Sequence, residues 1–337
     1  MNRNRMNKKR MGRARVLSRA AAGMLAAALC FQPMTALAGP AGDSSLTSSS
    51  SNAGPGGGSG SSNSGSTGSS GGSTSVSNGG VSAVTSGLGV YRVTENEGIG
   101  AIARGVDVSY WQQNVNWSQV ASDNVQFAML ATRFRGNVDP FFAMNAANAS
   151  QAGLRLGAYI YSYATSVEMA QQEADFVLNL IKDYPISFPV VFDAEDANTL
   201  GTLTQSQVSD VINAFCKRIQ DAGYYPMVYA NEYWIANKID MSKISYDIWV
   251  AKYQQKYTYS KTSMWQASNT GSVKGVNGNV DIDYLYKDYT QIIPGNTWRT
   301  IAGNRYYYQN HVMQKSAWIN DGQNWYYMNA AGNPSKG

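Results

Sequence analysis

Phe188-Pro189-Val190-Val191-Phe192-Asp193-Ala194-Glu195-Asp196 is an apolar run that ends in three carboxylates. An apolar, β-branched run is typical of a strand buried on both faces. Because side chains alternate along a strand, Asp193 and Glu195 are expected on the same side, roughly 6–7 Å apart at the backbone. Desolvating carboxylates is costly, so a buried strand that ends in paired acids indicates a cavity at that end.

Two carboxyl groups held close together can have different pKa values, so that one stays protonated while the other ionises. Glycoside hydrolysis requires that division of roles. An isolated Asp-x-Glu is more often an exposed, acidic strand end. The interpretation therefore depends on the acids elsewhere in the chain.

Residues 1–38 predict a secretory signal peptide. Eight basic residues precede an apolar run from about Ala20 to Phe31, and Ala36-Leu37-Ala38 supplies a cleavage signal. The apolar run is too short for a transmembrane helix, so cleavage after Ala38 is expected, with a retained anchor as the alternative. The basic residues are Arg3, Arg5, Lys8, Lys9, Arg10, Arg13, Arg15 and Arg19.

Removal of this leader changes the charge of the protein. The formal charge is +5 for the whole chain and becomes −3 once the eight basic residues are gone. Nucleic-acid binding then loses its main support. No stable membrane insertion is expected after cleavage.

Cysteine and histidine are too rare for several kinds of active site. Cys30 lies in the leader, which leaves Cys216 as the only mature cysteine and excludes an intrachain disulfide. The single histidine, His311, lies in a Tyr-rich tail, so the main domain holds no Ser-His-Asp triad, Cys-His pair or His-based zinc site. Acid–base chemistry there must come from carboxylates or tyrosines, and no metal or organic cofactor is expected.

Residues 39–97 predict a flexible Gly/Ser-rich linker. Gly, Ser, Asn and Thr dominate as far as about Gly87, and almost nothing in this segment can be buried. Residues 88–100 form a transition in which Val90 to Val93 are compatible with an edge strand. Order is expected from about Ala101.

Strand-like and helix-like segments then alternate, which predicts a parallel sheet, closed or doubly wound. Helices are predicted to start at Asp139-Pro140, at the capping box Thr165-x-x-Glu168 and at Thr204-x-x-Gln207. About eight strands in about 190 residues predict a small barrel whose last third has lost its helices. The predicted strands are 105–109, 125–132, 156–164, 186–192, 225–230, 246–253, 263–267 and 280–286.

Acids recur at strand positions of this predicted barrel. Asp107 lies on the first strand, Asp193 and Glu195 on the fourth and Asp281 on the last. The first and last strands of a barrel are neighbours, and active sites gather at the carboxyl ends of the strands. Four acids in that arrangement predict a carboxylate-based active site.

Residues 104–289 resemble the glycoside hydrolase family 25 lysozymes, the Chalaropsis-type muramidases. The resemblance implies a modified TIM-like (β/α)₅β₃ barrel at 98–290. It also implies cleavage of the β-1,4 bond between N-acetylmuramic acid and N-acetylglucosamine in peptidoglycan. The matching segments follow the family's order and are GVDVSYWQ (105–112), GAYIYSYA (157–164), PVVFDAED (189–196), YDIWVAKY (246–253) and MWQASNTGSVKGVNGNVDIDY (264–284).

The resemblance also implies residue roles. Glu195 is the expected general acid and Asp193 its charged partner, while Asp107 and Asp281 complete the acidic cluster. Gln266 and Tyr161 are expected to contact substrate. The chain departs from the family at Ile160, where the family often has His, and this affects one wall of the groove rather than the acids.

Aromatic side chains near the predicted site are candidates for stacking on sugars, with core packing as the alternative for each. Tyr161 and Trp265 are the strongest candidates. Arg133 is expected either to bind a muramyl carboxylate or peptide, or to be a surface arginine. The other aromatic candidates are Tyr110, Tyr159, Tyr229 and Trp249.

The tail, residues 291–337, repeats loosely with a period of 19 residues, since 305–310 aligns with 324–329. It resembles the aromatic cell-wall-binding repeats of choline- and glucan-binding proteins. Each of those repeats is a small β-hairpin. The resemblance predicts binding of choline or another wall polymer through Trp318, Trp325, Tyr307 and Tyr326. One repeat and a fraction is too few for an independent solenoid, so the tail is expected to pack on the barrel or pair with another chain, and a purely structural appendage is the alternative.

These observations predict an α/β protein that is a secreted peptidoglycan muramidase, extracellular or associated with the cell wall. Two alternatives stay open. A non-catalytic protein that binds cell-wall glycan is disfavoured by the retention of four acids. A chitinase-like glycosidase would act on N-acetylglucosamine polymers instead.

Overall fold

The computed structural model describes residues 74–78, 81–93, 98–253 and 255–335. The predicted signal peptide and most of the predicted linker lie outside these residues. The strands are β1 (Thr74–Asn78), β2 (Val81–Ser86), β3 (Gly89–Val93), β4 (Ala103–Val108), β5 (Phe127–Ala131), β6 (Arg133–Phe134), β7 (Asn137–Val138), β8 (Arg155–Tyr161), β9 (Ile186–Asp193), β10 (Pro226–Asn231), β11 (Asp247–Ala251), β12 (Thr262–Gly271), β13 (Val280–Leu285), β14 (Thr297–Ile301), β15 (Asn304–Gln309), β16 (Val312–Met313), β17 (Ala317–Asn320) and β18 (Trp325–Met328). The α-helices are α1 (Trp117–Ser122), α2 (Phe142–Gln151), α3 (Val167–Ile181), α4 (Gln205–Asp221) and α5 (Glu232–Asn237).

Eight strands form a closed barrel in the order β4, β5, β8, β9, β10, β11, β12 and β13. The first seven run parallel, and β13 closes the barrel by pairing antiparallel with both β12 and β4. One α-helix follows each of the first five barrel strands, and none separates the last three. The predicted (β/α)₅β₃ barrel is therefore confirmed.

The barrel strands are apolar because both of their faces are covered. Along β9 every residue is buried. Phe188 and Val191 belong to the apolar cluster inside the barrel, whereas Val190 and Phe192 belong to the larger cluster that includes the helices. This two-sided burial explains the continuous apolar run, and it leaves the carboxyl ends of the strands as the place where polar side chains gather.

Helix starts follow local capping chemistry. The capping box of Thr204 and Gln207 is confirmed at the start of α4. The prediction of Thr165 as the cap of α3 is wrong by one residue, since the Ser166 side chain accepts the hydrogen bond from the Met169 amide. At α2 the predicted cap, Asp139, is not the N-cap, because Phe141 occupies that position; Asp139 lies two residues earlier and accepts the Phe141 amide hydrogen.

The linker prediction for 39–97 is wrong over the described residues 81–93, where β2 and β3 form an antiparallel pair. Tyr91 is buried, and the Asn124 side chain bonds to both the amide and the carbonyl of Arg92. A few side chains that can be buried therefore anchor a segment whose average composition indicates a linker. The predicted edge strand at Val90 to Val93 corresponds to β3.

The tail consists of small antiparallel sheets, β14–β15–β16 and β17–β18. The first of these packs on the barrel through two buried side chains. The Arg299 guanidinium lies between the rings of Tyr224 and Tyr308, 3.9 and 4.3 Å from their centroids, and the Tyr308 hydroxyl donates to the Lys182 carbonyl over 2.8 Å. Of the expected arrangements, the tail therefore adopts the one that is packed on the barrel.

Within the part of the chain that the structure describes, no helix combines the length and apolar character needed to cross a membrane.

Candidate active site

A cavity of about 380 Å³ opens at the carboxyl ends of the barrel strands. Asp107, Asp193, Glu195 and Asp281, the four acids predicted from the sequence, all line it. The register of the sheet explains their proximity, because Asp281 on β13 is paired directly with Asp107 on β4. Asp193 on β9 is paired with Tyr161 on β8 and with Tyr229 on β10.

Glu195 and Asp281 retain a proton to unusually high pH. Burial, together with the negative charges of Asp281 and Asp196, raises the pKa of Glu195 to about 6. Burial also raises the pKa of Asp281 to about 6. A carboxyl group that stays protonated at mildly acidic pH can act as a general acid.

Asp107 and Asp193 lie deeper and are almost fully buried. Burial raises the pKa of Asp193 well above its usual range, and the nearby Glu195 and Asp196 add to the effect. Burial raises the pKa of Asp107 in the same way, assisted by Asp281 and Asp283. The cluster cannot carry its full negative charge, so it titrates as one coupled group.

Asp283 is a fifth acid that the sequence interpretation missed. It follows Asp281 by two residues on β13 and therefore shares its face, and its register partner on β4 is Gly105, which has no side chain. The Trp249 indole Nε1–H donates to Asp283 Oδ1 over 2.9 Å, and Oδ2 has no hydrogen-bond partner among the described residues. Asp283 is fully buried, and burial and the charge of Asp281 raise its pKa well above the usual range.

Gln266 connects the acids to two tyrosines. Its Nε2–H donates to Asp107 Oδ2 over 2.8 Å. Its Oε1 accepts hydroxyl hydrogens from Tyr229 over 2.8 Å and from Tyr253 over 2.7 Å. The amide is therefore held in one orientation, and Tyr253, which was not among the predicted site residues, becomes part of the cavity wall.

Asp196 was also not predicted as a site residue. Its Oδ2 accepts the Tyr161 hydroxyl hydrogen over 3.0 Å. Its Oδ1 accepts the amide hydrogens of Asn198 and Thr199 and so fixes the loop after Glu195. This contact orients Tyr161 at the cavity wall.

The family comparison covers the segment that carries most of this site. Residues 106–276 match the model of the glycosyl hydrolases family 25, a segment that includes Asp107, Asp193 and Glu195 and ends before Asp281. The chain belongs to glycosyl hydrolase family 25. It is a glycoside hydrolase.

Several known proteins are similar to this family 25 enzyme. It is 31% identical over 189 residues to the uncharacterized protein YegX of Escherichia coli K12, covering 53% of this chain and 68% of YegX. It is 30% identical over 195 residues to Lysozyme M1 of Streptomyces globisporus, covering 53% of this chain and 66% of that protein. The crystal structure of the CTP1L endolysin is similar, with a TM-score of 0.50 and 25% identity over 58% of this chain and 70% of that one.

The predicted aromatic contacts of this family 25 enzyme separate into two groups. Tyr159, Tyr161, Tyr229 and Trp249 line the cavity, as does the exposed Trp111. Trp265 does not, because Gln266 points into the barrel and the preceding residue on a strand must point the other way. Trp265 is buried in the outer layer, where its Nε1–H donates to the Lys252 carbonyl, so its predicted contact with substrate is contradicted.

Tyr110 is also displaced from its predicted role, because its ring stacks on Phe134 at 4.0 Å and does not line the cavity. In the tail, Trp318 and Trp325 are each 67% exposed, as a binding role requires. Tyr307 is buried and Tyr326 is half-buried, and both rings pack against Trp298. Binding of a wall polymer by Tyr307 is contradicted by this burial, and Tyr326 serves the packing of the tail.

Arg133 lines the cavity of this family 25 enzyme, but its charge is already paired. Its Nη2 donates to Glu173 Oε1 over 2.7 Å and to the Tyr161 carbonyl, and its guanidinium lies 4.8 Å from the centroid of the Tyr163 ring. Glu173 is 40 residues away in sequence, and no local signal indicates the pair. Arg133 is therefore neither a surface arginine nor a free anion-binding group.

Among the residues that the structure describes, no group of three or more His, Cys, Asp and Glu side chains could hold a metal ion.

Proposed function

We propose that this family 25 enzyme is a secreted peptidoglycan muramidase. The bond that it is proposed to cleave is the β-1,4 linkage between N-acetylmuramic acid and N-acetylglucosamine. The observation that carries the proposal is a carboxyl group, Glu195, with its pKa raised to about 6 at the wall of a cavity that it shares with Asp193. The similarity to a protein named Lysozyme M1 supports the choice of substrate.

Glu195 is the proposed general acid. Its burial and the neighbouring carboxylates keep it protonated at mildly acidic pH, so that it can donate a proton to the glycosidic oxygen as the bond breaks. The cluster of Asp193, Asp107 and Asp281 carries only part of its full negative charge, and that charge is proposed to stabilise the positive charge that develops on the sugar ring. Tyr161 and Tyr229 are proposed to position the sugar, since both line the cavity and both have hydrogen-bonded hydroxyl groups.

The experiment is cleavage of purified peptidoglycan by the mature protein and by Glu195→Gln, followed by mass analysis of the new chain ends. We expect new reducing ends on muramic acid and a loss of about 10²–10⁴-fold in Glu195→Gln. Glu168→Gln is the matched control because Glu168 is exposed at the start of α3. Sugar released from chitin oligomers but not from peptidoglycan would favour the chitinase alternative, and adsorption without release would favour a binding protein.

Secretion is part of the proposal and rests on residues 1–38. Eight basic residues, a short apolar run and Ala36-Leu37-Ala38 together support export and cleavage after Ala38. The intact mass of protein recovered from culture medium tests this. A chain that begins at Gly39 is expected, and one that retains the leader would contradict cleavage.

We also propose that the tail binds a wall polymer through an aromatic ledge, which is the face of the β17–β18 hairpin formed by Trp318, Trp325 and Tyr327. Trp318 and Tyr327 are directly paired across the two strands, and Trp325 lies two residues from Tyr327, so all three share one face. Exposed tryptophans on one flat face favour stacking on sugar rings. The enclosed aromatic group around Trp298 is less suited to choline, because the Arg305 guanidinium already lies 4.2 Å from the centroid of the Trp298 ring.

Adsorption to purified walls by the double variant Trp318→Ala/Trp325→Ala tests the ledge. We expect adsorption to fall at least tenfold, about 1.4 kcal/mol, with no change in melting temperature. Tyr233→Ala is the control, since Tyr233 is an exposed aromatic residue on α5. Unchanged adsorption would overturn the proposal, and competition by free choline would favour choline over glycan as the ligand.

A further inference from the structure

The mouth of the cavity carries a second arginine that differs from Arg133. Arg135 lies in the tight turn between β6 and β7, where its φ is 49° and that of Gly136 is 83°. Both arginines line the cavity. Whereas Arg133 is committed to Glu173, the Arg135 side chain has no hydrogen bond or ion pair to any residue that the structure describes.

Arg135 is held in place by aromatic stacking. Its guanidinium lies 5.0 Å from the centroid of the Phe134 ring, and Phe134 in turn stacks on Tyr110 at 4.0 Å with an interplanar angle of 13°. Stacking on a ring leaves the edge of a guanidinium, with its N–H donors, free to bind an anion. The side chain is therefore held in position while its charge is not neutralised by an anionic partner.

The charges of the cavity restrict where an anionic substrate group can lie. Asp107, Asp193, Glu195 and Asp281 line the cavity and disfavour a further negative charge beside them. Among the residues that the structure describes, Arg133 and Arg135 are the only cationic side chains that line it, and Arg133 is paired. A carboxylate on the substrate is accordingly stabilised beside the β6–β7 turn.

We infer that Arg135 forms a subsite for a carboxylate carried by the glycan, and that this subsite determines specificity. The inference rests on the proposed muramidase function and narrows it to glycans that bear carboxylates. Polymers of N-acetylglucosamine alone carry none and gain nothing from the subsite. In peptidoglycan the carboxylate has two sources, the lactyl group of muramic acid in peptide-free strands and the stem peptide in substituted strands.

The test measures kcat and KM for wild type, Arg135→Gln and Arg135→Lys on three soluble substrates. They are peptide-free strands with free lactyl carboxylates, the same strands with those carboxylates amidated, and strands that keep their stem peptides. We expect Arg135→Gln to raise KM about tenfold on a carboxylate-bearing substrate, since a charge-assisted hydrogen bond is lost, and to leave cleavage of the amidated strands within about twofold. Arg135→Lys should raise KM less than Arg135→Gln does, because it keeps the positive charge.

The pattern identifies the source of the carboxylate. A raised KM on peptide-free strands assigns the lactyl group, and a raised KM confined to the substituted strands assigns the peptide. Arg92→Gln is the control, because Arg92 is exposed on β3 and does not line the cavity. Equal changes on free and amidated strands, or no change on any, would overturn the subsite while leaving the muramidase proposal intact. Wild-type protein that cleaves none of the three would overturn both.

Discussion

Gln266 donates an Nε2–H hydrogen bond to Asp107 Oδ2 over 2.8 Å. The two residues are 159 positions apart and lie on strands separated by β13 in the barrel. Because the Gln266 Oε1 is occupied by two tyrosine hydroxyls, the amide cannot turn over without losing three hydrogen bonds. Gln266 therefore presents a fixed donor to the acidic cluster.

Replacing Gln266 tests this arrangement. Gln266→Leu leaves Asp107 and two tyrosine hydroxyls without their partner, so we expect it to lower the free energy of unfolding by about 1–3 kcal/mol and to reduce kcat/KM. Denaturant melts and cleavage assays measure the two effects. Gln171→Leu, on the exposed surface of α3, should change neither. Equal behaviour of the two variants would contradict the role given to Gln266.

The pH dependence of activity should report the protonation of Glu195. Because the acid form is required and its pKa is about 6, kcat/KM is expected to fall above pH 6, by about tenfold per pH unit once the group is mostly ionised. Asp281→Asn removes a negative charge that raises this pKa. The alkaline limb of the residual activity should therefore move to lower pH, and a limb that stays in place or moves upward would contradict the assignment.

The free energy of unfolding should also depend on pH, because the same raised pKa values differ from those of the unfolded chain. Carboxyl groups whose pKa is raised in the folded state bind protons more tightly there than in the unfolded chain. Their contribution is present below the unfolded value, 4.5 for Glu195, and is lost as the pH rises through about 6. Folding should therefore weaken across this interval, which melts at several pH values would detect.

Asp283→Asn isolates one member of the cluster. The amide oxygen can still accept the Trp249 hydrogen bond, and the buried carboxyl group is removed. We expect a gain of about 1–3 kcal/mol in the free energy of unfolding at pH 7 and a smaller gain at pH 4. Asp210→Asn, an exposed partner of Lys243, should change stability by no more than about 1 kcal/mol. A loss of stability in Asp283→Asn at pH 7 would count against this view of the cluster.

The tail should contribute to the stability of the barrel. Tyr308→Ala removes a buried ring, its stacking on Arg299 and its bond to Lys182, so we expect a loss of about 3–5 kcal/mol. Tyr327→Ala removes an aromatic residue from the exposed ledge of the same tail and should have little effect. Calorimetry of both variants measures the effect. An unchanged melting temperature in Tyr308→Ala would mean that the β14–β15 hairpin does not stabilise the barrel.

Much of this site follows from alternation along strands. Asp107, Asp193 and Asp281 lie at barrel-facing positions, so the sequence places them together once the fold is recognised. The same alternation, applied to every strand, excludes Trp265 from the cavity because the adjacent Gln266 points into the barrel. It also places Asp283 on the inner face, two residues after Asp281.

Other features depend on contacts that no local pattern specifies. The Arg133–Glu173 pair joins a strand to a helix, and it decides which of two nearby arginines keeps a free charge. Likewise, residues 81–93 are anchored by the burial of Tyr91 and by the contact with Asn124, whereas Gly and Ser dominate most of the segment 39–97 in which they lie. Composition therefore misplaced the start of the folded region.

The place where the tail docks has a consequence for how the enzyme would reach its substrate. The carbonyls of Lys182, at the end of α3, and of Ile186, the first residue of β9, accept bonds from Tyr308 and Arg299, whereas Asp193 ends β9 at the cavity. The eight residues of β9 span about 26 Å. The docking contacts of the tail and the proposed catalytic acids therefore lie at opposite ends of β9. Among the described residues, none of the tail lines the cavity, so the docked tail leaves the cavity mouth open to a long glycan.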